Sequence, residues 1–121
     1  MIILDTNAVI YYLQNDRRCV RVIDKLRARH QIAISTITEV ELFSFPSLTS
    51  AQTLEIVRWL GELQAVPLDS SLARQAAHLR RVYGLKTPDA VVAATAFFFS
   101  APLVTRDQKL NKVAELTIIK C

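Results

Sequence analysis

Short runs of consecutive apolar residues alternate along this chain with longer stretches of helical periodicity. Five runs read as strands: Ile2-Ile3-Leu4, Ile32-Ala33-Ile34, Ala65-Val66-Pro67-Leu68, Leu103-Val104-Thr105, and Leu116 to Ile119. Between them the spacing predicts a short helix over Ala8 to Gln14 and a second over Cys19 to His30, with Cys19, Val22, Ile23, Leu26 and His30 on one face. Ser35-Thr36 enters a third helix that runs to about Phe45 and stops at Pro46. Thr49 or Ser50 opens a fourth, with Leu54, Val57 or Trp59, Leu60 and Leu63 as its apolar contacts. A fifth, capped by Asp69 or Ser70, buries Leu72, Ala76, Leu79 and Tyr83 and closes at Gly84. Thr87 as N-cap and Pro88 at the first helical position open a sixth that reaches about Phe99. A short helical turn precedes the last strand.

Strands that are continuously apolar, with helices between them, are the pattern of a parallel sheet covered on both faces. The expected fold is α/β, a three-layer sandwich with a central, mostly parallel five-stranded sheet. With 121 residues, 51% of them apolar and 21% charged, the chain can bury a core and is too apolar for disorder. No repeat, linker or low-complexity tract divides it, so residues 1–121 are expected to form a single domain. No apolar run reaches the ~18 residues needed to cross a bilayer, and the amino terminus opens into a strand without a basic leader. Cys19 and Cys121 are too few for a disulfide framework and lack zinc-type spacing with His30 or His78. These features predict a soluble cytoplasmic protein with no membrane association.

The acids carry the chemistry. Asp5 follows the first strand, and Asp107 lies two residues beyond the Thr that ends the fourth. Glu41 belongs to the helix after the second strand, and Asp89 to the start of the helix leading into the fourth. Ligands of open parallel sheets gather outside the carboxyl ends of the strands, where the strand order reverses. Asp5 and Asp107 fit that rule directly; Glu41 and Asp89 fit if their helices begin on the same side. Each also has a structural explanation. Asp5 and Asp107 can cap the helices that follow them, and Asp89 in a first turn favours the helix dipole by ~0.3–1 kcal/mol. Thr36-Ile37-Thr38-Glu39 matches a capping box, with Thr36 as N-cap and Glu39 reaching back to its amide. That assigns Glu39 to the helix and leaves Glu41, beside the buried face, for the site. Four carboxylates without His or Cys form a hard-oxygen donor set, suited to Mg²⁺ or Mn²⁺ rather than zinc. Such ions activate water and stabilise charge in phosphoryl displacement.

Charge sharpens this picture. Fifteen Lys and Arg against eleven Asp and Glu give +4; setting aside Asp5, Glu41, Asp89 and Asp107 leaves fifteen against seven, or +8 for the remainder. A basic body around an acidic pocket suits a polyanion whose phosphates meet metal ions. Arg18, Arg21, Lys25 and Arg29 form one basic stripe, which is either an RNA contact or a solvated face.

The chain resembles the PIN-domain ribonucleases, specifically the VapC type of toxin found in toxin–antitoxin pairs. The resemblance rests on Asp5-Thr6-Asn7, on the segment from Ile34 to Leu42, on Pro88-Asp89-Ala90 and the helix to Ala96, and on Leu103-Val104-Thr105-Arg106-Asp107. It implies that Asp5, Glu41, Asp89 and Asp107 bind metal, and that Thr6 or Asn7, together with Thr105, orients carboxylates or water. Leu110 stands where the family often has an aromatic. The implied activity is Mg²⁺-dependent endonucleolytic hydrolysis of RNA, such as tRNA, with Mn²⁺ as a substitute. A small antitoxin would restrain it, and members commonly form homodimers.

Other classes fit less well. Gly61 and Gly84 are isolated, so no phosphate-cradling loop is present. His30 and His78 lie on helix faces as ordinary polar side chains. Tyr11, Tyr12, Phe43, Phe45 and Trp59 read as core or partner surface. A phospho-acceptor signalling domain is the rival from another class, because Asp5, Thr105 and Lys109 loosely match receiver chemistry; the second acid after the first strand that receivers require is missing. A PIN-fold processing nuclease without an antitoxin is the other alternative.

Overall fold

The computed structural model describes all residues, 1–121. Strands β1 (Ile2–Leu4), β2 (Ile32–Ser35), β3 (Gln64–Val66), β4 (Leu103–Thr105) and β5 (Ile118–Lys120) form one sheet in the order β3-β2-β1-β4-β5. Every pairing is parallel. The chain runs outward from β1 to β3, then crosses back to β4 on the other side of β1, so the strand order reverses between β1 and β4.

Six helices cover the sheet: α1 (Thr6–Leu13), α2 (Arg17–Arg27), α3 (Thr36–Leu42), α4 (Ser50–Leu60), α5 (Ser70–Tyr83) and α6 (Thr87–Phe98). Strand alternation divides the core. Ile3, Ala33 and Leu103 pack with α5 and α6, whose residues from Ala90 to Ala96 are all buried. Ile2, Leu4, Ile32, Ile34 and Val104 pack on the opposite face with α1, α2 and α4. The α/β sandwich is as expected, and the sheet is parallel throughout. No helix is long and apolar enough to cross a membrane.

Several local readings need correction. Helix α1 begins at Thr6 rather than Ala8, because Asp5 occupies the N-cap position. Helix α2 begins at Arg17, where the Asp16 carboxylate accepts from the Cys19 amide at 3.0 Å, and ends before His30, which is exposed. Helix α3 is capped by Ser35, whose hydroxyl accepts from the Ile37 amide at 3.2 Å. Thr36 is already helical and its hydroxyl accepts from the Leu68 amide at 3.1 Å, so the Thr36–Glu39 capping box does not form. A capping box does form between Thr49 and Gln52 at the start of α4. Leu54 and Val57 of α4 are about half exposed (51% and 52%); Ile56 and Trp59 face the core instead, with Trp59 stacked on Tyr12 at 5.0 Å between centroids. Lys86 rather than Thr87 is the N-cap of α6. Strands β3 and β5 are offset from their apolar runs by one or two residues, ending at Val66 and Lys120. By contrast, Asp69 caps α5 through the Leu72 amide at 2.9 Å, and Gly84 ends it with φ 66° in the left-handed region.

The two cysteines, too few for a disulfide framework, nevertheless form one bridge. Cys19 and Cys121 are joined as a disulfide across a sequence separation of 102, and both are buried. The start of α2 lies beside the end of β5, a proximity that sequence spacing does not reveal.

Candidate metal centre

The site is built at the carboxyl edge of the sheet, where the strand order reverses. The register pairs Leu4 with Val104, and one step further brings Asp5 beside Thr105. Asp5 stands at the N-cap of α1 but its side chain makes no capping bond. Its Oδ2 instead accepts from the Thr105 hydroxyl at 2.7 Å. The same Thr105 oxygen accepts from the Asp107 amide at 3.0 Å, which links the ends of β1 and β4 to the loop that carries Asp107. Asp107 caps the short 3₁₀ turn Gln108–Lys112, accepting from the Lys109 amide at 2.9 Å through one carboxylate oxygen.

Glu41 enters from α3. Its Oε1 accepts from the Thr6 hydroxyl at 2.7 Å, and the buried Thr38 hydroxyl lies 3.0 Å from the same Thr6 oxygen. Asp89 lies in the first turn of α6. Burial pushes its carboxyl above the usual range; the charges of Asp107 and Glu41 add to this, while Lys109 and Lys86 oppose it. Burial also pushes Asp5 up to about 6, with Asp89 and Asp107 adding and the Thr105 hydroxyl bond opposing. The helix carrying Asp89 therefore begins within electrostatic reach of the other acids, which sequence alone did not establish. Asn7 is exposed on α1 and makes no hydrogen bond to these groups, so Thr6 is the member of the Thr6–Asn7 pair that orients a carboxylate.

Thr38 went unnoticed in the sequence, although its position three residues before Glu41 puts both on one helix face. Lys86 and Lys109, whose charges act on Asp89, carry no sequence signal that ties them to the site.

The donor set fits a hard divalent cation. Negative charge accumulates here without a paired base, and the three ion pairs of the chain lie elsewhere, on Arg27 and Arg106. No three of these carboxylates form a closed cage for one ion. Mg²⁺ does not require one, because it keeps several waters and binds through one or two carboxylates.

Comparison with known proteins gives a consistent result. No curated protein sequence matches the chain. In structure, the chain is similar to VapBC2 from Rickettsia felis, solved bound to a DNA fragment from its promoter, with TM-score 0.83, 20% identity and coverage of 100% of this chain and 99% of that one. It is equally similar to a toxin–antitoxin complex from Klebsiella pneumoniae, with TM-score 0.83, 26% identity, and 98% and 96% of the two chains covered. VapBC-1 from nontypeable Haemophilus influenzae follows at TM-score 0.79 and 20% identity, with 99% and 98% covered. The family model of the PIN domain matches residues 2–116, and the chain therefore belongs to the PIN domain family.

Proposed function

We propose that the protein is a metal-dependent endoribonuclease of the VapC type, the toxin of a toxin–antitoxin pair, acting in the cytoplasm. The observation that carries this reading is the hydrogen-bonded acidic group at the β1–β4 switch point, where Thr105 holds Asp5 and Thr6 holds Glu41. Asp5, Glu41, Asp89 and Asp107 would hold Mg²⁺, or Mn²⁺ in its place. When bound, such an ion supplies a water of lowered pKa and charge stabilisation at the reacting phosphate.

The chain's own groups prepare that chemistry. Thr105 fixes the Asp5 carboxylate and, through the Asp107 amide, the loop beside it. Asn7, exposed next to Thr6, would contact the substrate. Lys86 and Lys109 flank Asp89 and would draw phosphate toward an otherwise repelling pocket. The substrate is an RNA, with a structured RNA such as tRNA as the first candidate.

An antitoxin partner is supported by the complexes named above. An open groove of about 320 Å³, lined by six apolar residues, among them Leu13, Phe45 and Leu48, and by four polar ones including Glu55, gives such a partner a mixed surface to cover. A homodimer is also expected, and light scattering tests it. The phospho-acceptor alternative has no second acid after β1 to support it.

The test is RNA cleavage by the purified protein with and without Mg²⁺. Cleavage that needs the ion and is lost in both Asp5→Asn and Asp89→Asn supports the reading. Undiminished cleavage by both variants removes these acids from the mechanism. Copurification with a small DNA-binding protein encoded next to the gene separates a toxin from a free-standing processing nuclease.

A further inference from the structure

The helical threonines Thr38, Thr53 and Thr95 use their hydroxyls differently. Thr53 and Thr95 turn back to the carbonyl four residues earlier, at 2.9 Å from Thr49 and 2.8 Å from Val91. Thr38 does not. Its fully buried hydroxyl (0% exposed) has a single partner, the Thr6 oxygen at 3.0 Å, contributed by a different helix 32 residues away.

The proton count fixes the direction of this bond. A threonine hydroxyl has one hydrogen. Thr6 has two neighbours, the Glu41 carboxylate at 2.7 Å and the Thr38 hydroxyl at 3.0 Å. The shorter bond, to the charged acceptor, takes the Thr6 proton. Thr38 then donates its own proton to the Thr6 oxygen, which satisfies a hydroxyl that burial would otherwise leave unpaired. The result is a directed chain, Thr38 to Thr6 to Glu41, whose two bonds reinforce each other.

We propose that Thr38 is a positioning residue for the candidate metal centre: through Thr6 it fixes the orientation in which Glu41 presents its carboxylate to the divalent cation. This rests on the reading of the acidic group as a metal centre. Thr38 and Glu41 lie on one face of α3, and Thr6 begins α1 directly after Asp5, so the chain also sets the distance between Glu41 and Asp5. Removing the Thr38 hydroxyl leaves Thr6 free to rotate toward other acceptors, and Glu41 loses its fixed rotamer without losing its charge.

The test compares Thr38→Val, Thr38→Ser, Thr6→Val and the Thr6→Val/Thr38→Val double variant. The readouts are Mn²⁺ affinity by titration calorimetry, kcat and KM for RNA, and melting temperature. Thr38→Val, close to isosteric, is expected to weaken Mn²⁺ binding and lower kcat about three- to tenfold, the equivalent of one ordinary hydrogen bond. KM for RNA stays unchanged, and Thr38→Ser restores both lost quantities. Because Thr38 acts only through Thr6, Thr38→Val adds no further loss of affinity on the Thr6→Val background. Should Thr38→Val fold poorly, Thr38→Ala removes the same hydroxyl without burying a new methyl beside Thr6, and must show the same loss of affinity. Wild-type Mn²⁺ affinity in Thr38→Val and Thr38→Ala, or a Thr38→Val loss that persists in full on Thr6→Val, overturns the relay alone. Failure of the wild-type protein to bind Mn²⁺ overturns the metal-centre reading and the relay with it.

Discussion

Asp5 shows how a residue with a structural alternative is committed to another task. It sits where a helix cap belongs, yet its carboxylate is held by Thr105 and pushed up to about 6 by burial, with Asp89 and Asp107 adding. The usual carboxylate value is 3.8, so between these two pH values the folded protein keeps a proton that the unfolded chain has lost. Stability of the metal-free protein therefore falls as pH rises from about 4 through 6, and above that range an ionised Asp5 disfavours the fold by about 2–3 kcal/mol. Asp5→Asn removes this penalty. In chelator-treated protein the variant should melt above wild type at pH 7.5, with the difference closing toward pH 4. A wild type that is the more stable of the two at pH 7.5 without metal would show that Asp5 is not held against its charge. The place of Asp5 at the end of an apolar strand was legible in the sequence. Its hydrogen bond to Thr105 was not, because the two residues are 100 positions apart and meet only through the β1–β4 register.

Elements whose ends are decided locally were legible, and those decided by packing were not. Asp69 and Gly84 bound α5 through contacts within one turn, and the sequence carries both signals. The cap of α3 shifted by one residue because the Thr36 hydroxyl is taken by the Leu68 amide of the neighbouring β3–α5 connection. The face of α4 rotated because that helix buries Ile56 and stacks Trp59 on Tyr12, a choice made by the neighbouring helix rather than by spacing. These assignments can be checked. Ser35→Ala should cost about 1 kcal/mol, since it removes the α3 cap, whereas Glu39→Ala should stay within about 0.5 kcal/mol of wild type. Chemical denaturation measures both; a larger loss for Glu39→Ala would restore the capping box that the structure lacks.

At the scale of the whole molecule, charge and covalent closure matter most. Of fifteen basic residues only Arg27 and Arg106 form ion pairs, and the exposed stripe of Arg18, Arg21, Lys25 and Arg29 forms none. Charge reversal at Arg21 and Lys25 should weaken RNA binding and reduce the slope of log affinity against log salt by about two. An unchanged slope would make the stripe an ordinary solvated face. Arg106 links the site to the chain's covalent closure: its guanidinium bonds both Asp16 oxygens at 2.9 and 3.2 Å and the Cys121 carbonyl at 2.8 Å, and lies 4.1 Å from the Tyr11 ring centroid. Replacing Cys19 and Cys121 together by Ala should lower stability by about 2–4 kcal/mol, and a reductant should lower the melting temperature of wild type but not of the variant. Equal melting of wild type with and without reductant would show that the bridge contributes nothing. The central claim is that acids from four separate segments together make one site for divalent cations. Calorimetric titration of Mn²⁺ into wild type, Asp5→Asn and Asp89→Asn tests it most directly. Saturable binding to wild type that is lost or weakened at least tenfold in both variants is the predicted result, while equal binding by all three, or none by wild type, would contradict it.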